Sequence, residues 1–303
     1  RLVGKEPEQA TSKMVPAYAL RLSGARIGAS VVISKLSITG PEASYSAGIV
    51  LRDGAAPVVR NCESRAGFSS YGYGALVLAG ASPSFVSCTL HGGEGATSFG
   101  LSVDSAKAVI RSSYLLAGSG TVSGCGLSAT DASVSVYSSV LAGAKANLGY
   151  GAALYNSKGS RFEFCTLLGG YGKETTACFV SEGNPVIASC IIASYGTGKS
   201  YGIVANYGQS SPSALSASVF LSCASALFYD ADTKLAYSSL DASGNLLSGS
   251  QALSEPKATA CMLGAFSLGP EPRYESPAGA MAGLAAGSAE ASPDVRGKTR
   301  SGS

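Results

Sequence analysis

The sequence predicts an all-β protein, a right-handed parallel β-helix (solenoid) of about eight to nine coils with 25–26 residues per coil, on three observations. Small residues recur at one fixed spacing, and apolar residues recur at the same spacing half a repeat later. The segments between them are short, rich in β-branched residues and bounded by Gly and Ser, which is typical of strands. A period of this length predicts that each repeat is one coil, with like residues stacked about 4.8 Å apart.

The first column consists of small residues, most of them preceded by an aromatic residue. Its members are Gly48, Gly74, Gly100, Gly126, Gly151, Ala177 and Gly202, at steps of 26, 26, 26, 25, 26 and 25. The residues one and three positions later are largely apolar, as Ile49 and Leu51 are. A spacing of two places both on one face of a strand, so we expect them to point into the core.

A second set of columns lies half a repeat later. A small or apolar residue recurs at Leu36, Cys62, Cys88, Ser113, Ser139, Cys165, Cys190 and Ser218. Apolar residues precede it by three positions at Ile33, Val59, Phe85, Ile110, Val136, Phe162, Ile187 and Leu215. Others follow it by two at Ile38, Leu90, Leu115, Leu141, Leu167, Ile192 and Phe220, with Ser64 as the exception. A leucine-rich horseshoe has repeats of similar length, but its dense Leu pattern is missing.

The period sets the expected domain organisation. Residues 1–242 are expected to form the β-helix, with 1–29 as an entry cap, because an open stack end exposes core and unpaired backbone. A shorter last coil is expected near Leu235, Ser238 and Leu240. Residues 243–303 lose the period and predict an irregular cap packed on the same solenoid. No stretch is apolar enough for a transmembrane segment.

Two motifs carry a resemblance to a known group. The stretches Ser82–Leu90 (SPSFVSCTL) and Asn184–Ile192 (NPVIASCII) share one pattern, and the end of the chain holds Ser276-Pro277-Ala278 and then Asp294–Arg300 (DVRGKTR). In these the chain resembles right-handed parallel β-helix repeat proteins that bacteria secrete or display. The resemblance implies an extracellular or cell-surface (cell-envelope) location. It does not decide function, because the group includes lyases, hydrolases, epimerases, adhesins and proteins without known activity.

Catalytic chemistry is poorly represented. The resemblance implies clustered Asp for lyases, and Asn-Thr-Asp, Asp-Asp, Gly-His-Gly and Arg-Ile-Lys motifs for polygalacturonases; Asp residues are few and those motifs do not occur. The one histidine, His91, follows a strand in a loop, where a surface role is more common than catalysis. We predict no catalytic residue, no metal site and no cofactor. If the chain is an enzyme, it is a polysaccharide lyase or glycoside hydrolase.

Acidic and amide residues form a further column, at Asp53, Asp104, Asp131, Asn156, Glu182, Asn206 and Asp232. Such a column could be a carboxylate ladder that binds calcium or sugar, because Ca²⁺ takes six to eight oxygen ligands. The alternative is turn chemistry, since Asp and Asn bond their own backbone in turns. Each coil needs a turn at this position, so turn chemistry is favoured.

The eight cysteines could form disulfides or remain free. Cys62, Cys88, Cys165 and Cys190 share one register position, where parallel stacked side chains do not readily give the disulfide dihedral. Buried free thiols are therefore favoured. Cys125 and Cys178 are two coils apart, too far to pair, while Cys223 and Cys261 could join in a C-terminal staple.

Two candidate binding features lie near the small-residue column. Residues two positions after it should face outward, and the apolar ones form a stripe at Val50, Leu76, Ala153, Phe179 and Val204. An outer apolar stripe marks a contact surface or lies under another part of this chain, such as the C-terminal segment, and both readings stay open. The second feature is an aromatic column at Tyr73, Phe99, Tyr150 and Tyr201. Packing at a corner or in the core is favoured for it over a sugar-binding groove.

These observations favour a non-enzymatic extracellular or cell-surface protein, a rigid structural, adhesion or assembly module. Its expected partners are copies of itself or another envelope protein, with polysaccharide as a further candidate. The net charge of +3, from 22 basic and 19 acidic residues, is too small to predict a nucleic-acid partner. The alternatives are a polysaccharide-active enzyme and a catalytically silent carbohydrate-binding β-helix.

Overall fold

The computed structural model of the chain describes residues 2–3, 16–206, 214–216, 218–237, 239–240 and 246–247. Every regular element in these residues is a β-strand. The chain passes through each of three long sheets once in each coil. Parallel pairing between successive coils builds a β-solenoid of about eight turns. This confirms the predicted all-β, parallel-coil architecture.

Three long sheets hold almost all of the strands. Sheet 1 contains β1 (Leu2–Val3), β4 (Ser37–Thr39), β7 (Glu63–Arg65), β10 (Thr89–His91), β13 (Tyr114–Leu116), β16 (Val140–Ala142), β19 (Thr166–Leu168), β22 (Ile191–Ala193) and β25 (Val219–Leu221). Sheet 2 contains β2 (Ala17–Ser23), β5 (Tyr45–Arg52), β8 (Ser69–Leu78), β11 (Glu94–Asp104), β14 (Ser119–Thr130), β17 (Lys145–Tyr155), β20 (Tyr171–Ser181), β23 (Lys199–Asn206), β26 (Ala226–Asp230) and β27 (Leu235–Tyr237). Sheet 3 contains β3 (Val32–Ser34), β6 (Val58–Arg60), β9 (Ser84–Val86), β12 (Lys107–Arg111), β15 (Ser133–Tyr137), β18 (Arg161–Glu163), β21 (Val186–Ala188) and β24 (Ala214–Ser216).

The predicted columns are columns in space. In sheet 3, Phe85 pairs with Val59 on one side and with Ile110 on the other. In sheet 1, Leu90 lies between Ser64 and Leu115. All six residues are fully buried, and the five apolar ones belong to the single large core cluster inside the coils. Stacking of like side chains therefore buries what one coil could not bury alone.

The tight corner between sheet 3 and sheet 1 repeats in seven successive coils. Its first residue has a positive φ of 49–58° at Lys35, Asn61, Ser87, Ser112, Ser138, Phe164 and Ser189. This left-handed conformation turns the chain within two residues, and the second of them is the predicted Cys and Ser column. Only Gly, Asn and Asp adopt this conformation at a low cost in free energy, so Phe164 is unfavourable at this position.

The two ends of the solenoid differ from a regular coil. At the start, β1 and β2 fall within the expected entry cap and are the terminal strands of sheets 1 and 2. At the other end, β27 runs antiparallel to β26, so the coil expected near Leu235 and Leu240 is wrong: the chain reverses there. A second antiparallel pair joins β28 (Ser239–Leu240) to β29 (Leu246–Leu247). Ser238, and residues 243–303 apart from β29, lie outside the described residues, so the predicted boundary at 242 stays a prediction.

Candidate functional site

The long strands of sheet 2 change their alternation at the small-residue column. A Cβ on Gly74 would lie 2.5 Å from the amide nitrogen of His91 in sheet 1 and 2.5 Å from the carbonyl oxygen of Gly100. Gly74 therefore faces inward, and so does the next residue, Ala75, which is fully buried in the core cluster. Because two successive residues face inward, both Tyr73 and Leu76 face outward.

The predicted apolar stripe lies on this outer surface, but it is largely covered. Val50 is 2% exposed, Leu76 and Val204 are each 8% exposed, and Ala153 is 3% exposed. Only Phe179 in the stripe is partly open. Around Val50 and Leu76 the covering side chains include the rings of Tyr18 and Tyr73, in a cluster separate from the core. The stripe thus forms the inner layer of side chains on this surface of sheet 2, and aromatic rings form the outer layer.

The predicted aromatic column forms that outer layer. Tyr73, Phe99, Tyr150 and Tyr201 are all partly exposed, so none of them lies in the core, which is one of the two positions expected for them. The broken alternation explains why they face outward. In a regular strand Tyr73 would lie on the same inner face as Ala75, two positions later, but the irregularity at Gly74 places it on the outer face. Ring pairs run along the column: Tyr73 stacks on Phe99 with centroids 5.1 Å apart. Tyr150 meets Phe179 of the stripe edge-on, with ring centroids 5.9 Å apart.

Further aromatic residues extend this layer, and sequence reasoning missed them. Tyr45 and Tyr71 stack with centroids 4.9 Å apart, and Tyr155 lies 5.5 Å from Phe179. For two of them a signal was available, because Tyr71 stands two positions from Tyr73 and Tyr155 stands two positions from Ala153 on the same strand. We define the aromatic face as Tyr18, Tyr45, Tyr71, Tyr73, Phe99, Tyr150, Tyr155, Phe179, Tyr201 and Tyr229.

The electrostatics of the aromatic face are nearly neutral. Burial raises the pKa of Tyr73 and that of Tyr155 to about 12, so both phenols stay protonated at neutral pH. The two most exposed rings are Tyr71 and Tyr155, at 40% and 39%. Some charged side chains lie within the face. Arg21 lies over the ring of Tyr18, 5.8 Å from its centroid. Glu174 and Lys199 continue the column of Tyr45 and Tyr71, and an ion pair of 3.8 Å joins them. The face therefore offers ring edges and neutral hydroxyl groups, which can both donate and accept hydrogen bonds.

His91 has a structural role in its turn. Its Nδ1 accepts a hydrogen bond of 3.0 Å from the backbone N–H of Gly93. Burial, with a further contribution from Arg65, lowers the pKa of His91 to about 4, so the imidazole is neutral at pH 7. In the described part of the chain, no three His, Cys, Asp or Glu side chains come together in a way that could hold a metal ion.

Four residues of the acidic and amide column lie in the turns between sheet 2 and sheet 3. Asp104 and Asn206 end strands β11 and β23, and Asp232 lies in the turn between β26 and β27. Asp53, Asp131, Asn156 and Glu182 have positive φ values of 57°, 48°, 46° and 55°. The Asn156 amide donates a hydrogen bond of 2.6 Å to Asp131 in the neighbouring coil. These conformations are what the turn interpretation requires, because Asn and Asp tolerate left-handed backbone better than most residues.

A shallow groove runs beside these turns. It is lined by Gly80, Ser82, Ser105, Ala106, Lys107, Asp131, Ala132, Ser133, Asn156 and Lys158. Its one carboxylate, Asp131, already accepts the Asn156 amide, and the other charged groups are two lysines. A calcium ion is usually bound by six to eight oxygen ligands, several of them carboxylates. The groove offers one carboxylate and is therefore a poor calcium site.

The cysteines of the shared column are free and buried. Each thiol contacts the carbonyl two residues earlier, as Cys88 Sγ does with Val86 at 3.4 Å. Ser113 and Ser139 do the same at 2.7 Å, so Cys and Ser are alternative caps for one corner. Burial raises the pKa of Cys88 to about 11 and that of Cys178 to about 12. Cys125 and Cys178 are also free. Cys261, the candidate partner of Cys223, lies outside the described residues.

Comparison with known proteins identifies no relative: no family model, no curated protein and no solved structure matches this chain. The described residues include no helix that could span a membrane. The fold and the chemistry of its surfaces are therefore the basis for the functional argument.

Proposed function

We propose that this protein is a non-enzymatic rigid module that uses the aromatic face of sheet 2 as a contact surface for assembly. The continuity of that face supports the proposal: partly exposed rings occur on most strands from β2 to β26. Eight strand spacings of about 4.8 Å give the face a length of about 38 Å. Tyr and Phe are enriched at the centres of protein interfaces, where charged side chains are depleted.

The size of the face fits an interface between two protein surfaces. Six residues of a strand span about 20 Å, so the face covers roughly 760 Å². A standard interface buries about 800 Å² on each partner. The partner that we propose is a second copy of this chain, because a nearly neutral face can meet its own copy without charge repulsion. A location outside the cell or on its surface is part of this proposal, and it rests on the resemblance described above.

Self-association of the full chain tests the proposal. Replacing Tyr71 and Tyr155 together by Ser removes the two most exposed rings of the face, which contribute least to folding. Sedimentation velocity over a concentration series should show a dimer for the wild type that the double variant loses. Phe68→Ser is the matched control, because Phe68 is 66% exposed in the turn between sheets 1 and 2 and lies outside the defined face. A wild type that stays monomeric at 1 mM, or equal dimerisation in all three proteins, would reject it.

A carbohydrate-binding module without turnover is the second candidate. The partly exposed tyrosines with neutral hydroxyl groups favour it, since aromatic rings with polar edges suit sugar surfaces. A glycan array would then show binding by the wild type that Tyr150→Ala and Tyr201→Ala lose, with no product released from the bound glycan. Release of a product would instead support the polysaccharide-active enzyme.

A further inference from the structure

Four neighbouring strands of sheet 1, from β13 to β22, carry apolar side chains on their outer surface. The central residues Leu115, Leu141, Leu167 and Ile192 belong to the core. Side chains next to them on the strand therefore point outward. Five of these form a cluster of their own, which we call the sheet 1 patch: Leu116, Val140, Ala142, Leu168 and Ala193.

The patch is buried although it faces outward. Leu168 is 1% exposed and Val140 is 3% exposed, whereas the outward-facing Val109 of sheet 3 is 36% exposed. The apolar neighbours that the described residues supply are Tyr114, Ile191 and Tyr195. Tyr114 and Ile191 stand on the outermost strands of the patch, β13 and β22, and are themselves only partly buried. They leave the two middle strands, β16 and β19, in need of a further cover.

The outer surface of sheet 1 changes character along the solenoid. In β7, Glu63 and Arg65 occupy the outward positions and are exposed. In β16 and β19 the last outward position holds Ala142 or Leu168 instead. The change towards apolar residues occurs on the side of sheet 1 that approaches its last strand, β25. A cover is thus needed near the C-terminal end and not near the N-terminal end.

We propose that the C-terminal segment, residues 261–268, packs on the sheet 1 patch. This segment reads CMLGAFSL and contains no charged residue. Residues 248–260 connect it to β29, and thirteen extended residues reach about 43 Å. The patch spans four strands, about 14 Å, and ends one strand away from β25. The connection is therefore longer than the patch is wide.

Two other segments outside the described ranges suit the patch less well. Residues 4–15 include Lys5, Glu6, Glu8 and Lys13, and they join β1 to β2 at the opposite end of the solenoid. Residues 207–213 are a short polar link between β23 and β24. The inference does not depend on the proposed function, and it leaves the aromatic face of sheet 2 free for a partner.

Photo-crosslinking of the full chain tests the inference directly. The photoreactive p-benzoylphenylalanine replaces Val140 in one sample and Val109 in the control. After irradiation and digestion, mass spectrometry of the monomer band should find position 140 joined to a peptide that includes residues 261–268, and position 109 not joined to it. A crosslink from position 140 to a second chain, to residues 4–15, or to no peptide from 261–268 would overturn it.

A second measurement uses single substitutions on both sides of the contact. Val140→Asp and Phe266→Asp should each raise the rate of trypsin cleavage after Lys257 or Arg273 at least tenfold, because both would release the segment. Val109→Asp should leave this rate unchanged. Circular dichroism identifies variants that do not fold, and Phe266→Asp changes none of the described core residues. An unchanged cleavage rate in folded Phe266→Asp protein would overturn the inference.

Discussion

The cap at the corner between sheet 3 and sheet 1 allows a quantitative test of how the coils are held together. Ser113 Oγ donates a hydrogen bond of 2.7 Å to the carbonyl of Arg111 and accepts one of 3.0 Å from the backbone N–H of Cys88 in the preceding coil. Ser113→Ala removes both bonds. The Arg111 carbonyl keeps a partner, because the Ser87 N–H also donates to it at 3.0 Å.

The cost therefore comes mainly from the Cys88 N–H, which is left buried without an acceptor. Such a group costs about 1–3 kcal/mol, so we expect Ser113→Ala to lower the free energy of unfolding by about 2 kcal/mol. Ser113→Cys should cost about half as much, because a thiol keeps the contact with the carbonyl but is a weak acceptor. The native cysteines of this column show that the larger atom fits the corner.

Urea denaturation of the full chain, followed by circular dichroism, measures these differences at constant m value. The matched control is Ser119→Ala, at an exposed strand position, which should change the free energy of unfolding by less than about 0.5 kcal/mol. If Ser113→Ala costs no more than Ser119→Ala, the serine does not join the coils, and the reasoning about the corner fails.

Three further predictions concern other parts of the fold. In native protein at pH 8, a thiol reagent such as DTNB should modify at most Cys223 and Cys261 quickly, because the other six thiols are buried and the pKa of Cys88 is about 11; rapid reaction of three or more would contradict the burial. His91 has a pKa near 6.5 in the unfolded chain, but burial lowers its pKa in the folded protein to about 4. The free energy of unfolding of the wild type should therefore fall by about 2 kcal/mol from pH 7 to pH 5, beyond any loss in His91→Gln. Equal losses in the two proteins would show that His91 is not buried in its neutral form. Ala79 is exposed with a φ of 51°, so Ala79→Gly should raise the free energy of unfolding by about 1 kcal/mol, and a decrease in the urea midpoint would rule out the left-handed turn.

The regular part of the fold could be predicted from the sequence because periodicity is a global signal. Phe85, Ile110 and Val136 stand one repeat apart, and stacking is the arrangement that buries all of them in successive coils. The aromatic column was harder. The side on which Tyr73 lies depends on Gly74, where the sheet 1 backbone approaches too closely for a Cβ and the alternation is broken. Nothing in a two-residue pattern signals such a break.

The end of the solenoid was also beyond the pattern. Leu235 continues the spacing of apolar residues approximately, and this suggested another coil. The turn at residues 231–234, where Lys234 has a φ of 59°, instead sends the chain back along β26. Local turn geometry overrides the repeat at that point. The apolar outer residues of sheet 1, such as Leu168, could be counted from the sequence, but their burial required a structure.

The close approach of Gly100 and Gly126 to the sheet 1 backbone limits how the solenoid can change in evolution. An added methyl group at either position would meet main-chain atoms at 2.6–2.7 Å, and main chain cannot rotate aside as a side chain can. The distance between sheets 1 and 2 is thus fixed in these two coils, whereas Ala177 shows that the same column admits a methyl group farther along the solenoid. During evolution the solenoid can change in length, by gain or loss of whole coils, and in the sequence of its exposed corners. The spacing of sheets 1 and 2 at these glycines stays constant.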